Sequence, residues 1–225
     1  MSKVDSKISV LDHGYVRLID SMGTDLSVVR SARVSYDAEW RAGLDQGSDA
    51  RLIKYLADNN HTTPFESVEF QFEVMLPIFS VRQWHRSRTW SYNEVSARYK
   101  ELPEVFYVPE LGQITMQSTD NKQMRTEVQH PEAAGIQSSI HHSCLQSFKT
   151  YKELLNRGTP RELARSVLPM GTYTHMFAKV DMLNLIKFLQ QRLHPHAQHE
   201  IKVYAEAMVE LARPIAPVSF TAWLD

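Results

Sequence analysis

The sequence has little of several features that mark other classes of protein. Cys144 is its single cysteine, so an internal disulfide is excluded and a reducing, cytoplasmic location is expected. No run approaches the ~18 apolar residues that a membrane-spanning helix needs, and residues 1–14 show no signal-peptide pattern. The formal net charge of −1 argues against a polycationic nucleic-acid binder. Glycine-rich phosphate loops and the G-x-S-x-G nucleophile motif are also missing from the sequence.

The apolar residues suffice for one core. The chain has 225 residues, 43% of them hydrophobic, and is predicted to form a single domain over residues 1–225. Apolar and polar residues alternate over 68–76, which predicts a strand, and 14–20 and 172–180 are interpreted as two more. Helical spacing and capping patterns predict helices near residues 24–36, 49–60, 78–84, 136–157, 160–168, 181–192 and 196–211. We expect an α/β fold of the α+β type, with a small mixed or antiparallel sheet flanked by helices.

The segments between these elements give weaker patterns. Residues 89–93 are expected to be irregular, with extended structure resuming over 95–100. Residues 101–132 contain prolines and a polar run, which predicts a long functional loop or insertion. Thr159 is predicted to cap the next helix, with Pro160 at its first position.

An arginine-rich segment is the strongest candidate for a binding site. Within 17 positions it carries Arg82, Arg86, Arg88 and Arg98. A guanidinium group can donate two hydrogen bonds to two oxygens of one phosphate. Neighbouring hydroxyls and backbone N–H groups can complete the anion site. Glu94 in such a patch would orient an arginine or accept a hydrogen bond from a ribose hydroxyl. The residue types fit equally well a solvated basic face over two buried tryptophans.

A second pair of arginines lies further along the chain. Arg161 and Arg165 are four positions apart, on one face of a predicted short helix that Pro169 ends. On its own this pattern favours an exposed helix with an ion pair to Glu162. A short arginine-bearing helix between two turns is also a typical position for a ligand contact.

A histidine cluster follows the predicted helix over 181–192. It consists of His194, His196 and His199, with Glu200 beside them. The cluster resembles a metal site, but Pro195 redirects His194 and no second ligand pair has a known metal spacing. We expect no metal, and we interpret these side chains as capping and hydrogen-bonding groups.

Taken in order, these segments resemble the flavin-dependent thymidylate synthases. The signature of that family is R-H-R, then seven residues, then serine; here Arg86-Ser87-Arg88 is followed after seven residues by Ser96. The flanking residues 83–84 and 91–99 also match. Further matches in type and order lie at residues 32–35, 61–66, 160–169 and 192–201. The resemblance covers about residues 14–223, and five motifs in sequence are highly specific.

The resemblance implies a compact α/β domain that assembles as a homotetramer with active sites between subunits. It implies reductive methylation of dUMP to dTMP. The carbon would come from 5,10-methylenetetrahydrofolate, and NADPH would reduce an FAD cofactor that passes the hydride on. No enzyme cysteine would attack the uracil ring, which agrees with the place of Cys144 on the apolar stripe of a predicted helix. Neither nucleic acid nor a membrane is expected as a partner.

The resemblance also assigns residues to roles. The residues implied for dUMP binding are Gln83, Arg86, Glu94, Ser96, Ala97, Arg98, Arg165 and Arg192. The residues implied for FAD binding are Ser35, His61, Thr63, Arg86, Ser87, Arg88, Asn93, Glu94, Asp181, Lys187 and His196. Arg98 and Arg165 would pair with the phosphate of dUMP. Arg192 would be the catalytic residue, stabilising negative charge at N3 and O4 of the uracil.

Three positions depart from the family pattern. Ser87 stands in place of the central histidine of the signature, and Leu183 and Lys187 stand where other residues are usual. All three would lie near the flavin. The changes could alter flavin binding, or they could mark a variant that transfers a hydroxymethyl group to the same pyrimidine.

Two further functions stay open on the sequence. One is a non-catalytic nucleotide- or RNA-binding module that uses the same arginines, against which the net charge argues. The other is a degenerate family member kept as a structural subunit. Retention of Arg98, Arg165 and Arg192 argues against the second, because a scaffold gains nothing from desolvated guanidinium groups.

Overall fold

One antiparallel sheet organises the part of the chain that the computed structural model describes, residues 6–225. Its strands, in chain order, are β1 Lys7–Val10, β2 Gly14–Met22, β3 Glu69–Pro77, β4 Ser91–Glu94 and, after an intervening hairpin, β7 Tyr173–Asp181. The order across the sheet is β1-β2-β3-β7-β4. The hairpin consists of β5 Thr115–Gln117 and β6 Arg125–Gln129.

Most of the helices pack on one face of this sheet. The helices are α1 Asp25–Arg33, α2 Gln46–Asp58, α3 Ile78–Trp84, α4 Ala133–Asn156, α5 Arg161–Ala164, α6 Met182–Arg192, α7 His199–Ala212 and α8 Pro217–Leu224. The α+β class expected from the sequence is confirmed. None of the helices within residues 6–225 is long and apolar enough to cross a membrane.

The alternation along β3 explains why helices pack on one face of the sheet. Phe70, Phe72 and Val74 are at most 1% exposed and point into a single core shared with α1, α2, α6, α7 and α8. In the same core the Trp84 ring at the end of α3 stacks on Phe188 of α6, with ring centroids 4.9 Å apart. This contact fixes the end of α3, where the arginine-rich segment begins.

Two expectations about the irregular segments were wrong. Residues 91–94 form strand β4, because Tyr92 pairs with Ala178 at the edge of the sheet. Residues 95–100, expected to be extended, form turns instead. The segment 101–132, expected to be a long functional loop or insertion, contains the β5–β6 hairpin, which the sequence did not predict. In β4 and in the hairpin the local sequence is polar, and pairing with another strand decides the backbone conformation.

Two of the helix starts that agree with the sequence have a capping side chain. Thr24 caps α1 as predicted, and Asp181 caps α6 by accepting from the backbone N–H of Asn184 at 3.0 Å. The predicted cap at Thr159 was wrong: Pro160 is the residue that precedes α5, and the helix starts at Arg161. Strand β1 and helix α8 were not predicted.

The sheet face opposite the core carries a polar cluster centred on Glu73. Its carboxylate contacts the Tyr15 hydroxyl at 2.8 Å, the His175 Nε2 at 2.7 Å and the Arg17 Nε at 2.5 Å. Burial alone would raise the pKa of Glu73, but these contacts hold that pKa below its usual range. The charged form of Glu73 therefore stabilises the fold at neutral pH.

We expect Glu73→Gln to lower the free energy of unfolding by about 1–3 kcal/mol at pH 7, because a buried charge-assisted hydrogen bond is lost. A carboxyl with a depressed pKa in the folded state stabilises above its unfolded value, near 4.5, and loses this contribution as pH falls through the folded pKa. The difference in the free energy of unfolding between Glu73→Gln and wild type should therefore shrink below pH 4.5. Urea unfolding at pH 7 and at acid pH measures it. Glu69→Gln is the control, since its pair with Lys179 is solvent-exposed; equal losses in both variants would contradict the assignment.

Candidate active site

A cavity of about 620 Å³ lies where α3 and β4 meet the α5 segment. Its lining includes Ile78, Arg82, Glu94, Val95, Ala97, Leu102, Glu162, Arg165, Ser166, Leu168, Pro169, Met170 and Thr174. Glu94, Ala97 and Arg165 are residues that the sequence predicted for dUMP. The Thr174 hydroxyl of β7 donates to Glu94 at 2.6 Å and fixes that carboxylate at the wall.

Glu162 brings two of the predicted arginines to one side of this cavity. Arg98 Nε lies 3.3 Å from the Glu162 carboxylate, and Arg165 Nε donates to the Glu162 backbone carbonyl at 3.3 Å. Both arginines are exposed, so the expectation that their guanidinium groups are desolvated was wrong in the single chain. The Arg98 backbone N–H donates to Ser96 Oγ at 3.3 Å. Two solvent-accessible guanidinium groups close to one cavity suit a phosphate at its mouth.

A second cavity, of about 430 Å³, lies between the signature segment and α6. Its lining is Arg86, Ser87, Arg88, Thr89, Asn184, Lys187, Phe188 and Gln191. It contains three cationic side chains, and no carboxylate within residues 6–225 lines it. The Ser87 Oγ is buried there without a hydrogen-bond partner in the described part of the chain. An anionic group such as a diphosphate would form ion pairs with the cationic side chains and accept a hydrogen bond from the Ser87 Oγ.

The sequence reasoning missed four residues of this second cavity: Thr89, Asn184, Phe188 and Gln191. Asn184 and Gln191 share one face of α6 with Lys187 and Phe188, at helical spacing. The Asn184 side-chain amide donates to the Asp181 carboxylate at 2.7 Å, which fixes its position. The spacing from Lys187 was the signal that could have identified Asn184 and Gln191.

A third cavity, of about 390 Å³, surrounds Arg192 at the end of α6. Its lining is Gln83, Gln123, Gln191, Arg192, His194, His196, Ala197 and Gln198. Arg192 Nη2 donates to the backbone carbonyl of Gln83 at 2.8 Å, while its Nε is buried without a partner in residues 6–225. Burial lowers the pKa of Arg192 from its usual value. Gln191 lines this cavity and the second one, so the two adjoin.

A chain of hydrogen bonds leads from Gln83 to the β5–β6 hairpin. The Gln83 side-chain amide donates to the Gln198 side chain, and Gln198 Nε2 donates to the Glu200 carboxylate at 2.8 Å. Arg125 Nη2 donates to both oxygens of Glu200 at 3.0 Å. Burial by itself would raise the pKa of Glu200, but the positive charge of Arg125 and these hydrogen bonds hold that pKa below its usual range. The chain fixes the side chain of Gln83 beside Arg192.

The sequence reasoning gave no role to Gln198 or Arg125, and it gave Glu200 only a capping or hydrogen-bonding role, which the contacts with Arg125 and Gln198 agree with. Gln198 and Glu200 belong to the segment 192–201 that matches the family, where an amide and a carboxylate two positions apart precede an apolar helix face. That pattern could have drawn attention to them. Arg125 gave no signal, because it lies in the segment that was expected to be a loop.

Several predicted residues do not line these three cavities. They are Ser35, His61, Thr63, Asn93, Ser96, Arg98 and Asp181. Ser35 is exposed in a short turn after α1, and the His61 ring lies edge-on to Tyr55 with centroids 5.8 Å apart, at the end of α2. The side chain of Asp181 is occupied in capping α6.

Comparison with known proteins gives a family match over nearly the whole chain. Residues 17–218 match the family model described as thymidylate synthase complementing protein. A flavin-dependent thymidylate synthase from Treponema denticola is 44% identical over 96% of this chain and 81% of its own length. The one from Thermotoga neapolitana is 42% identical over 97% of this chain and 94% of its own length.

The fold has a solved counterpart. A crystal structure of the UMP/dUMP methylase PolB from Streptomyces cacaoi, bound with 5-Br dUMP, has a TM-score of 0.86 and 36% sequence identity. The match covers 96% of each chain. A second structure of the same protein, bound with 5-Br UMP, has a TM-score of 0.84 and 35% identity.

Proposed function

Because the chain belongs to the family of the flavin-dependent thymidylate synthases, we propose that it is a methyltransferase that converts dUMP to dTMP with a flavin cofactor. The observation that carries the proposal is the position of Arg192, a half-buried arginine in a cavity that adjoins the cationic cleft of the signature segment. The proposal extends to 5,10-methylenetetrahydrofolate as carbon donor, NADPH as reductant, FAD as the flavin, a single domain and a cytoplasmic location.

We place dUMP between the first and third cavities. Arg98 and Arg165 pair with its phosphate, because both are exposed, Arg165 lines the first cavity, and Arg98 is held beside it by Glu162. The remaining contacts come from Gln83, Arg86, Glu94, Ser96 and Ala97. A Glu94 oxygen that is not bonded to Thr174 is free to accept from the sugar hydroxyl.

Arg192 is assigned to the uracil edge. The ring gains negative charge at N3 and O4 when it is activated, and a donor held in a water-poor site stabilises that charge more strongly than water would. The bond from Arg192 to the Gln83 carbonyl fixes one side of the guanidinium group. Its buried Nε has no partner within residues 6–225 and is available for the ligand.

The residues of the second cavity fit FAD. Arg86, Arg88 and Lys187 supply positive charge for the diphosphate, and the Ser87 Oγ supplies a hydrogen bond. FAD, when bound, supplies the hydride that completes the methyl group. The other proposed FAD residues are Ser35, His61, Thr63, Asn93, Glu94, Asp181 and His196. Ser35, His61 and Thr63 line none of the three cavities in one chain, which supports a homotetramer whose flavin sites are completed by neighbouring subunits.

The proposal is tested by incubating the purified protein with dUMP, 5,10-methylenetetrahydrofolate and NADPH. A flavin absorbance spectrum that bleaches on adding NADPH, and a product with the mass of dTMP, are expected. A hydroxymethylated product would overturn the methyl-transfer assignment. A colourless protein that forms no product but binds RNA with a steep salt dependence would overturn the enzyme itself.

We expect Ser87→Ala to weaken FAD binding about 10- to 100-fold, because a hydrogen bond to a charged phosphate is worth roughly 1.5–3 kcal/mol. The buried Oγ has no other partner in the described chain, so its removal should not disturb folding. Quenching of flavin fluorescence on titrating apoprotein with FAD measures the dissociation constant. Ser139→Ala on α4, exposed and distant from the signature segment in sequence, is the control. Equal FAD affinity in Ser87→Ala and wild type would remove Ser87 from the flavin site.

A further inference from the structure

A fourth cavity, of about 410 Å³, opens between the β5–β6 hairpin and the start of α7. Its lining is Gln117, Gln123, Met124, Arg125, Pro195, His196, Ala197, Gln198, His199 and Lys202. A volume in this range accommodates part of a cosubstrate molecule. Of its lining residues only His196 was assigned to a ligand above, so most of this cavity has no role in holding dUMP or FAD.

This cavity is continuous with the one around Arg192. Gln123, His196, Ala197 and Gln198 line both. A ligand in the fourth cavity can therefore extend along the segment 196–198 to the place assigned to the uracil. Arg192 lines only the third cavity and Lys202 only the fourth, so we call these the reactive end and the remote end of the joined cleft.

The remote end is positively charged. Arg125 and Lys202 line it, and no carboxylate of residues 6–225 is among its lining side chains. Arg125 is held by Glu200 behind the wall, which fixes its guanidinium group but offsets its charge. Lys202 is the more available cation, because its ammonium lies 3.9 Å from the exposed Glu206 and such a contact contributes little. His196 and His199 add two ring nitrogen donors or acceptors.

We propose that this cleft binds the anionic end of a cosubstrate whose reactive end lies beside Arg192, and that Lys202 is its principal charged contact. The inference rests on the proposed function, which supplies two cosubstrates of this kind. Methylenetetrahydrofolate ends in glutamate carboxylates, and NADPH carries a phosphate on its adenosine ribose. The shared chemistry is an anionic group at the far end of a long molecule from the reacting atoms.

Lys202→Met is the test variant, because methionine keeps the aliphatic length and removes the charge. Arg125 is unsuited to this purpose, since its removal would leave Glu200 buried without a charged partner. Lys149→Met on the exposed side of α4 is the matched control. FAD-loaded protein with dUMP is titrated by calorimetry with folate carrying one or three glutamates, and with NADP⁺ or NAD⁺.

Wild type is expected to show one of two preferences of about tenfold, the size of a charge-assisted contact. It should bind folate with three glutamates more tightly than folate with one, or NADP⁺ more tightly than NAD⁺. Lys202→Met should lose that preference, and Lys149→Met should keep it. A lost glutamate preference identifies the folate tail, and a lost NADP⁺ preference identifies the phosphate. A wild type without either preference, or a preference that survives in Lys202→Met, overturns the proposal. Formation of dTMP by wild type is measured separately, so failure of the proposed function is distinguishable from failure of this cleft assignment.

Discussion

Arg192→Ala should lower the rate of dTMP formation by about 10²- to 10³-fold. Removal of a single preorganised donor that stabilises transition-state charge has an effect of this size. The guanidinium group is partly buried, its Nη2 is bonded to the Gln83 carbonyl, and its Nε is unpaired within residues 6–225. The effect should fall on kcat rather than on the KM for dUMP, because the interaction strengthens as the ring gains negative charge. Steady-state kinetics with product quantification by mass spectrometry measures it.

Two further variants separate the chemistry of Arg192 from its packing. Arg192→Lys keeps the positive charge but loses the planar pair of donors, so it should recover only part of the rate. Arg157→Ala, at the exposed end of α4, should match wild type. Far-ultraviolet circular dichroism and the midpoint of thermal unfolding check that Arg192→Ala is folded. Full dTMP synthesis by folded Arg192→Ala would refute the catalytic assignment.

Arg165→Ala should raise the KM for dUMP about 10- to 100-fold while kcat changes little. A phosphate contact remote from the reacting carbon contributes similarly to the ground state and the transition state, so its loss appears in KM. Arg165 lines the first cavity beside Glu94 and Ala97, with its Nε oriented by the Glu162 carbonyl. Initial rates over a range of dUMP concentrations measure the change.

The matched control for Arg165 is Arg161→Ala. Arg161 lies four positions earlier in the same short segment and does not line the cavity. A second comparison uses deoxyuridine, which lacks the phosphate. If Arg165 contacts the phosphate, the ratio of kcat/KM for dUMP to kcat/KM for deoxyuridine should be smaller in Arg165→Ala than in wild type. An unchanged ratio would place the phosphate elsewhere, and a kcat loss equal to that of Arg192→Ala would assign Arg165 to the chemistry instead.

Local patterns in the sequence predicted the central elements well. The alternation of β3 is a strong signal because one face of that strand is buried, so every second residue must be apolar. The same holds for α6 and α7, whose apolar stripes face the core. The cap at Thr24 follows from the free backbone N–H groups that any helix start exposes.

Elements with weak local signals were the ones that sequence reasoning missed. Strand β4 is short and polar, and it is a strand because the edge of β7 offers hydrogen bonds to it. The β5–β6 hairpin is similar, and it is tied to α7 by Arg125 and Glu200. Arg125 and Glu200 are 75 positions apart, and the sequence around each residue does not indicate their contact.

The sequence by itself determined the fold class, the order of the central elements and the family, because buried faces and motif spacings are patterns of residues that lie close together in the chain. It also identified the arginines at positions 86–98, 165 and 192 as candidates for anion binding. Only the tertiary structure decided how they are grouped: Arg165 with Glu94, Arg86 with Lys187, and Arg192 with Gln83. These groupings depend on how α3, α5 and α6 lie relative to β4, and packing between distant segments is a property of the folded chain alone.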